Sequence, residues 1–281
     1  MAENQADTFD IGGELTVRRL GFGAMRLTGE DIIGRPDDEE NARKVLHEAV
    51  NAGVNLIDTA DSYGPGTSER LIGEALAPYA DDLVVATKGG LLRNADGEWP
   101  KRGDPAHLKN AVLCSLDRLR TDSLDLYQFH RPDPDVDYEE SIHALAEEKD
   151  AGRIDHIGVS NVSVEQLETA RDIVEIATVQ NQYNMGDRSD EDVLKACEEY
   201  DVGFIPWGPL GWGDLGEKQE AAEAVAEELD ASTYQVALAW LLEHSDVMLP
   251  IPGTSSVEHL HENVAATGLE LSTDQYNRLT E

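Results

Sequence analysis

Four side chains with complementary chemistry occur in the first half of the chain: Asp58, Tyr63, Lys88 and His130. Each follows an apolar, strand-like run at the point where it gives way to a loop. A carboxylate, a phenol, an ammonium and an imidazole together are suited to proton donation to a carbonyl oxygen. Each residue taken singly has an ordinary structural explanation. Asp58 would cap a turn and Tyr63 would be an aromatic side chain of a loop. Lys88 would be a solvated charge, and His130 would be an imidazole packed against its neighbours. They form one site only if the fold brings these strand ends together.

Alternating strand-like and helix-like patterns along the chain identify the elements that must position these residues. The predicted strands are 20–23, 55–58, 83–88, 124–130, 154–160, 178–182, 203–207 and 247–251. Predicted helices include 40–52, 105–119, 138–151, 164–174 and 191–200, where apolar residues recur at helical spacing. Eight strand–helix units with no break in composition predict a single (β/α)8 TIM barrel over residues 1–281. In such a barrel, the strand ends converge on one mouth.

A doubly wound sheet is the alternative α/β fold. It is weakened because no Gly-x-Gly-x-x-Gly motif follows the first strand and opens a helix. Before that strand, the Gly12-Gly13 pair lies between two alternating runs and predicts a tight hairpin, which we expect to cap the barrel bottom. The longest non-helical insertions, 26–36, 89–104 and 206–217, are expected over the mouth, where specificity loops belong.

The composition is strongly acidic. The chain of 281 residues has 57 acidic and 22 basic residues, and its formal net charge is −35. This field disfavours nucleic acid and anionic membranes as partners. The acids are scattered over many segments, which favours a hydrated protein from a salt-loving organism, such as a halophilic archaeon, because molar salt screens self-repulsion. An acidic docking surface is the alternative explanation.

Several other features favour a cytoplasmic protein without a metal. The N-terminal residues 1–7 are polar and acidic, unlike a secretion signal, and no apolar run is long enough to span a bilayer. Cys114 and Cys197 are far apart and are expected to be reduced. No Cys or His cluster has zinc-binding spacing, because His259 and His261 would face different directions on one helix.

Short motifs in a fixed order give a more specific indication. They are LGFGAM (20–25), NLIDTADSYG (55–64) with SE (68–69), TK (87–88), DLYQFHRP (125–132), IGVSN (157–161), QNQYN (180–184), IPWGPL (205–210) and IPG (251–253). With these motifs the chain resembles the aldo-keto reductase family along nearly its whole length. The resemblance implies a metal-free oxidoreductase that reduces an aldehyde or ketone by hydride transfer from NAD(P)H.

The resemblance also implies roles for the four residues. Tyr63 would be the general acid, and since a free phenol has a pKa of about 10, it needs help to donate near neutrality. Lys88 would lower that pKa, and Asp58 would hold Lys88 charged and in place. His130 would hydrogen-bond the substrate carbonyl and orient it.

By the same resemblance, a longer set of residues would hold the cofactor. Ser160, Asn161 and Gln180 would contact the nicotinamide carboxamide, and Trp207 would stack on the ring. The other implied cofactor-binding residues are Gly23, Ala24, Met25, Asp58, Gly208, Pro209, Leu210, Gly213, Gly253, Thr254, Ser255, His259, Glu262 and Asn263. The stretch after Pro252 lacks the Lys or Arg that NADPH-preferring relatives usually carry. NADPH is nevertheless expected over NADH, with serines and a helix N-terminus receiving the additional phosphate.

Two other functions remain open at this stage. Lys88 could be the nucleophile of a Schiff-base aldolase, since barrel enzymes also use strand-end lysines in this way. The chain could also be a nicotinamide-binding, redox-sensing regulatory protein with little turnover. For the lead hypothesis we expect a small carbonyl substrate and a monomer or weak homo-oligomer.

Overall fold

The chain begins with a hairpin and continues as parallel strands that alternate with helices. The computed structural model describes residues 8–281. Residues 1–7, whose polar and acidic character is unlike that of a secretion signal, lie outside the described part. The strands are β1 Thr8–Ile11, β2 Leu15–Arg18, β3 Phe22–Gly23, β4 Leu56–Asp58, β5 Val84–Gly89, β6 Leu124–Phe129, β7 Ile154–Ser160, β8 Ile176–Gln180 and β9 Gly203–Phe204. The helices are α1 Glu39–Asn51, α2 Thr67–Leu76, α3 Pro105–Leu119, α4 Tyr138–Asp150, α5 Val164–Ile173, α6 Glu191–Tyr200, α7 Gln219–Leu229, α8 Thr233–His244, α9 Val257–Ala265 and α10 Thr273–Thr280.

Strands β3 to β9 pair in sequence order, all parallel, and the eighth predicted strand closes the ring. On one side, Phe204 N–H donates to the Val247 carbonyl at 2.8 Å, and on the other, Gly21 N–H donates to the Pro250 carbonyl at 2.9 Å. The closing segment is not a regular strand, because Pro250 and Pro252 have no N–H to donate. The predicted (β/α)8 barrel is therefore confirmed, with an irregular eighth strand.

The helix predictions are confirmed to within one residue at either end, because their first turns carry strong start signals. The Asp38, Asp104 and Asp137 side chains each accept a backbone N–H in the first turn of α1, α3 and α4. Ser163 and Gln166 form a reciprocal capping box at the start of α5. Strands were predicted less accurately, and β9 ends at Phe204, before Pro206 interrupts the ladder.

The hairpin closes the barrel at the end opposite the mouth, as predicted. Ile11 pairs with Leu15 across a turn in which Gly12 and Gly13 have positive φ angles of 60° and 72°. A Cβ atom on Gly12 would lie 2.3 Å from Nδ1 of His156, so a side chain there would also clash. Hairpin residues share one buried cluster with the barrel interior: Ile11, Val17, Leu56, Val84, Ala86, Leu126, Ala177, Ile205, Leu249 and Ile251.

The alternation of side chains along the strands places polar side chains above this buried apolar cluster. Successive side chains of a strand point to opposite faces, so residues two apart share the barrel interior. Asp58 follows Leu56 in this way, and Lys88 follows Ala86. The outward-facing residues of the same strands, such as Ile57 and Val85, instead belong to the larger core between sheet and helices. The lower interior is therefore apolar, and the layer nearest the mouth is polar.

Candidate active site

A buried ion pair forms the floor of the candidate site. Lys88 Nζ lies 2.6 Å from Asp58 Oδ2 and donates to the Thr59 carbonyl at 2.8 Å. The other carboxylate oxygen, Asp58 Oδ1, accepts hydrogen bonds from Gln180 Nε2 at 2.8 Å and from Gln128 Nε2 at 3.2 Å. Because both oxygens of the carboxylate have partners, the pair is held in one geometry despite its burial.

Lys88 carries its charge in this environment. Its side chain is fully buried, and burial by itself would lower the pKa of the ammonium. The Asp58 carboxylate and the Tyr63 phenol oppose this effect, so the net result is a pKa raised above its usual value. The strand-end lysine is thus a fixed positive charge beneath the mouth of the barrel.

Tyr63 lies directly against this charge. Lys88 Nζ is 5.2 Å from the centre of the Tyr63 ring, and the ring meets His130 edge-on at a centroid separation of 5.9 Å. Burial raises the pKa of the Tyr63 phenol, although Lys88 acts to lower it. The expected lowering by Lys88 is present but is outweighed by burial. Near neutrality, Tyr63 is protonated and has a proton to donate.

His130 is a neutral side chain. Its ring is buried, and burial, Lys88 and Arg131 together hold the pKa of the imidazole well below its usual value. Ser62 Oγ lies 3.5 Å from Nδ1 of His130. A neutral imidazole still has one N–H, which can donate a hydrogen bond to a carbonyl oxygen. It lacks the extra proton of an imidazolium, so it does not replace Tyr63 as the acid that protonates that oxygen.

A cavity of about 610 Å³ opens above these residues at the carboxyl ends of the strands. Tyr63 and His130 line it, whereas Lys88 lies behind its wall. Most of the expected cofactor residues lie on the same wall: Gly23, Met25, Asp58, Ser160, Asn161, Gln180, Trp207, Gly208, Pro209, Leu210, Gly213 and Gly253. The structure therefore brings together the predicted catalytic residues and most of the predicted cofactor residues.

Side chains from β7, β8 and the loop after β9 interlock on this wall. Ser160 Oγ donates to the Gln180 carbonyl at 2.6 Å and accepts from Asn161 Nδ2 at 2.8 Å. Asn161 Oδ1 accepts from Trp207 Nε1 at 3.1 Å and from Arg131 Nη2 at 2.9 Å. These bonds fix the edge of the Trp207 ring, which leaves its face available for stacking.

The remaining expected cofactor residues are not on the cavity wall: Ala24, Thr254, Ser255, His259, Glu262 and Asn263. Ala24 is fully buried. The other five lie in and just before α9, whose N-cap residue is Ser256, and the Thr254 hydroxyl already accepts the Ser256 N–H at 3.0 Å. Their roles stay predictions.

Several residues of the site were missed by sequence reasoning. Gln128 supports Asp58 and lies two residues before His130, so strand alternation would have placed it in the interior. The others lie in or beside the mouth loops, and they are Arg26, Ile32, Leu91, Lys101 and Arg131. Trp212 belongs to the predicted 206–217 insertion and lines the cavity as well. Trp99 also lines the cavity, so each of the three predicted mouth insertions contributes to its wall.

Two further findings concern residues 8–281. No group of three or more His, Cys, Asp or Glu side chains among them is arranged to hold a metal ion. Within the same range, no helix combines the length and the apolar character needed to cross a membrane.

Comparisons with known proteins agree with this geometry. A profile described as the Aldo/keto reductase family matches residues 19–281. An uncharacterized oxidoreductase of Schizosaccharomyces pombe is 45% identical over 99% of this chain and 90% of its own length. The pyridoxine 4-dehydrogenase of Escherichia coli is 42% identical over 98% of this chain and 97% of its own.

Solved structures of similar proteins share the fold. The glycerol dehydrogenase of Gluconobacter oxydans superimposes with a TM-score of 0.88 at 29% identity, covering 99% of this chain and 94% of that one. An aldo-keto reductase of Klebsiella pneumoniae in complex with NADPH has a TM-score of 0.84 at 26% identity, covering 97% and 93% of the two chains.

Proposed function

The chain belongs to the aldo/keto reductase family and is an oxidoreductase that uses NAD(P)H to reduce carbonyl groups, and we propose that Tyr63 is its proton donor. The observation that carries this proposal is the ion pair of Lys88 and Asp58 beneath the protonated Tyr63 phenol, with neutral His130 beside it. We propose a small aldehyde or ketone as substrate.

Each of the four side chains has a separate role in the proposed reaction. The His130 N–H and the Tyr63 hydroxyl orient the carbonyl oxygen, and Tyr63 gives that oxygen its proton. Lys88 stabilises the phenolate that remains, because its fixed charge is only 5.2 Å from the ring centre. Asp58 holds Lys88 charged and positioned. When bound, NAD(P)H supplies the hydride.

The cavity wall fits a reduced nicotinamide cofactor. Trp207 offers an aromatic face next to the polar cluster of Ser160, Asn161 and Gln180, which could bind a carboxamide. Arg26 extends over Trp212, with its guanidinium 5.6 Å from the ring centroid, on the stretch of wall that includes Gly213 and Gly253. We propose that Arg26 binds the pyrophosphate, and that Ser255 and the start of α9 favour NADPH by receiving its additional phosphate.

The proposed function is tested by following nicotinamide absorbance with NADPH and NADH over a panel of aldehydes and ketones. Because a relative is named pyridoxine 4-dehydrogenase, the panel includes pyridoxine with the oxidised cofactors. We expect oxidation of NADPH with several aldehydes. Absence of turnover with both cofactors across the whole panel, in protein shown to be folded, would refute the proposal.

Replacing Arg26 tests the proposed pyrophosphate contact. In Arg26→Gln we expect the dissociation constants of NADPH and NADH both to rise by about tenfold, because the lost charge-assisted bond serves a group common to both. Tryptophan fluorescence measures both constants. Arg35→Gln is the matched control, since Arg35 pairs with Glu39 at 2.8 Å on the surface. A loss confined to NADPH would contradict the assignment.

The Schiff-base alternative is opposed by the state of Lys88. A nucleophilic lysine must be neutral and accessible to substrate. Lys88 is fully buried behind the cavity wall, its Nζ donates to Asp58 and Thr59, and the pKa of its ammonium is raised. Each of these features favours a fixed charge over a nucleophile.

We further propose that the protein is cytoplasmic and is a monomer or a weak homo-oligomer. Cys114 and Cys197 are both free, as expected in a reducing compartment, and Cys197 is buried. Among the described residues, the large hydrophobic side chains that are exposed are few: Ile33, Leu113, Trp212 and Tyr234. Trp212 and Tyr234 belong to the cavity wall, and Ile33 and Leu113 come from two other segments. This distribution provides no broad apolar surface for a stable homo-oligomer.

We also propose that the acid excess adapts the protein to high salt. With a net charge of −35, self-repulsion destabilises the compact state in dilute buffer, and molar KCl screens it. We expect the melting temperature to rise by about 5 °C or more between dilute buffer and molar KCl. An uncharged osmolyte at equal osmolality is the control. A melting temperature independent of KCl would overturn this proposal.

A further inference from the structure

The charges on the cavity wall differ in sign from those of the protein as a whole. The chain has 57 acidic and 22 basic residues. Among the described residues that line the cavity, however, Arg26, Lys101 and Arg131 are basic, and Asp58 is the one acid. Asp58 is already neutralised by Lys88. The cavity is therefore locally positive within a strongly negative molecule, and it suits a ligand with negative charge.

The cofactor phosphates explain only part of this positive charge. Arg26 lies beside Trp212, on the part of the wall assigned above to the pyrophosphate. Arg131 lies elsewhere, because it directly follows His130 and its Nη2 contacts Asn161, a residue assigned to the nicotinamide end. At that end, the cofactor presents a neutral carboxamide. The charge of Arg131 is thus left for the other occupant of the cavity, the substrate.

Arg131 itself has hydrogen-bonding capacity to spare. A guanidinium has five N–H donors, and the 2.9 Å bond to Asn161 Oδ1 is the one hydrogen bond that Arg131 makes to the described residues. Its Nε is inaccessible to solvent and has no partner. No carboxylate of residues 8–281 forms an ion pair with it, and burial lowers the pKa of the guanidinium without a compensating acid. A half-buried cation without an anion is costly unless a ligand provides one.

We infer that Arg131 is a specificity-determining residue that binds a carboxylate on the carbonyl substrate, with Lys101 supporting it from the neighbouring mouth loop, which follows β5. The inference rests on the proposed function, because it assumes that the substrate carbonyl lies between Tyr63 and His130. A planar guanidinium can bind a carboxylate through two parallel hydrogen bonds, which fixes orientation as well as charge. The Leu91 and Trp99 side chains on the same wall can contact the apolar body of such a substrate.

Matched substrates test the inference. The carboxybenzaldehyde isomers and their methyl esters differ in charge but carry the same reacting aldehyde. For the wild-type protein with NADPH, we expect at least one acid to have a kcat/KM about tenfold or more above that of its ester. Equal values for all acid–ester pairs would overturn the inference.

The variant Arg131→Gln keeps an amide that can donate to Asn161 but loses the charge. We expect kcat/KM for the preferred acid to fall by about 10- to 100-fold, mainly through KM, and that for its ester to change less than about threefold. Arg131→Lys should recover part of the preference for the acid. Arg102→Gln is the control, since Arg102 is an exposed neighbour of Lys101 that does not line the cavity.

Two outcomes would count against Arg131 as a substrate residue. An equal loss for acid and ester in Arg131→Gln would assign it a structural role through Asn161. A weaker dissociation constant for NADPH, measured without substrate, would assign its charge to the cofactor. Both differ from failure of the proposed function, in which the wild-type protein turns over neither the acids nor the esters.

Discussion

Tyr63→Phe is expected to reduce kcat for aldehyde reduction by about a thousandfold or more, the upper range of what a positioned general acid contributes. The phenyl ring keeps the edge-on contact with His130 and the position over Lys88, but it has no proton to donate. The NADPH dissociation constant should stay within about twofold of the wild-type value, because the hydroxyl is a reacting group and not a cofactor contact. Steady-state kinetics and fluorescence titration measure the two quantities.

Tyr138→Phe is the matched control for this variant. The Tyr138 hydroxyl is inaccessible to solvent and has no hydrogen-bond partner, and the Tyr138 ring lies beside Phe129 on the outer side of β6, away from the cavity. Loss of that hydroxyl should leave kcat nearly unchanged. If Tyr63→Phe retained wild-type turnover, another group would have to supply the proton and the assignment of Tyr63 would be wrong.

Lys88→Met is expected to be similarly severe for activity and also to destabilise the fold. Without the ammonium, the phenolate that forms on Tyr63 has no adjacent positive charge, so kcat should fall by about a hundredfold or more. Asp58 would be left as a buried carboxylate without a cation, which costs about 3 kcal/mol or more in unfolding free energy. Denaturant titration, together with kinetics under conditions where the variant is folded, measures both effects.

The double variant Asp58→Asn with Lys88→Met separates the two effects. Removing both charges leaves no unpaired ion in the interior, so stability should recover by more than half of the loss. Activity should not recover, since the positive charge beneath Tyr63 is still absent. Recovery of activity along with stability would show that Lys88 acts only by maintaining the fold.

The fold could be predicted from the sequence to a large extent. Strand–helix alternation, helix caps and the Gly12-Gly13 turn are local signals, so they identified the hairpin and the boundaries of helices such as α3. The eighth strand was placed correctly but proved irregular, because Pro250 and Pro252 cannot donate to a ladder. The predicted convergence of strand ends then followed from barrel geometry, which places Asp58 and Lys88 side by side.

The identities of the proposed reacting groups could thus be predicted from the sequence, but their chemical states were decided by the tertiary structure. Strand-end spacing predicted a lysine near Tyr63, and the family resemblance implied a lowered phenol pKa, yet burial in the assembled barrel raises that pKa. Gln128 reaches the site from β6, and Arg131 reaches it from the loop after β6. Charge states and polar partners depend on desolvation and on contacts between residues distant in the chain, so they exist only once the barrel has closed.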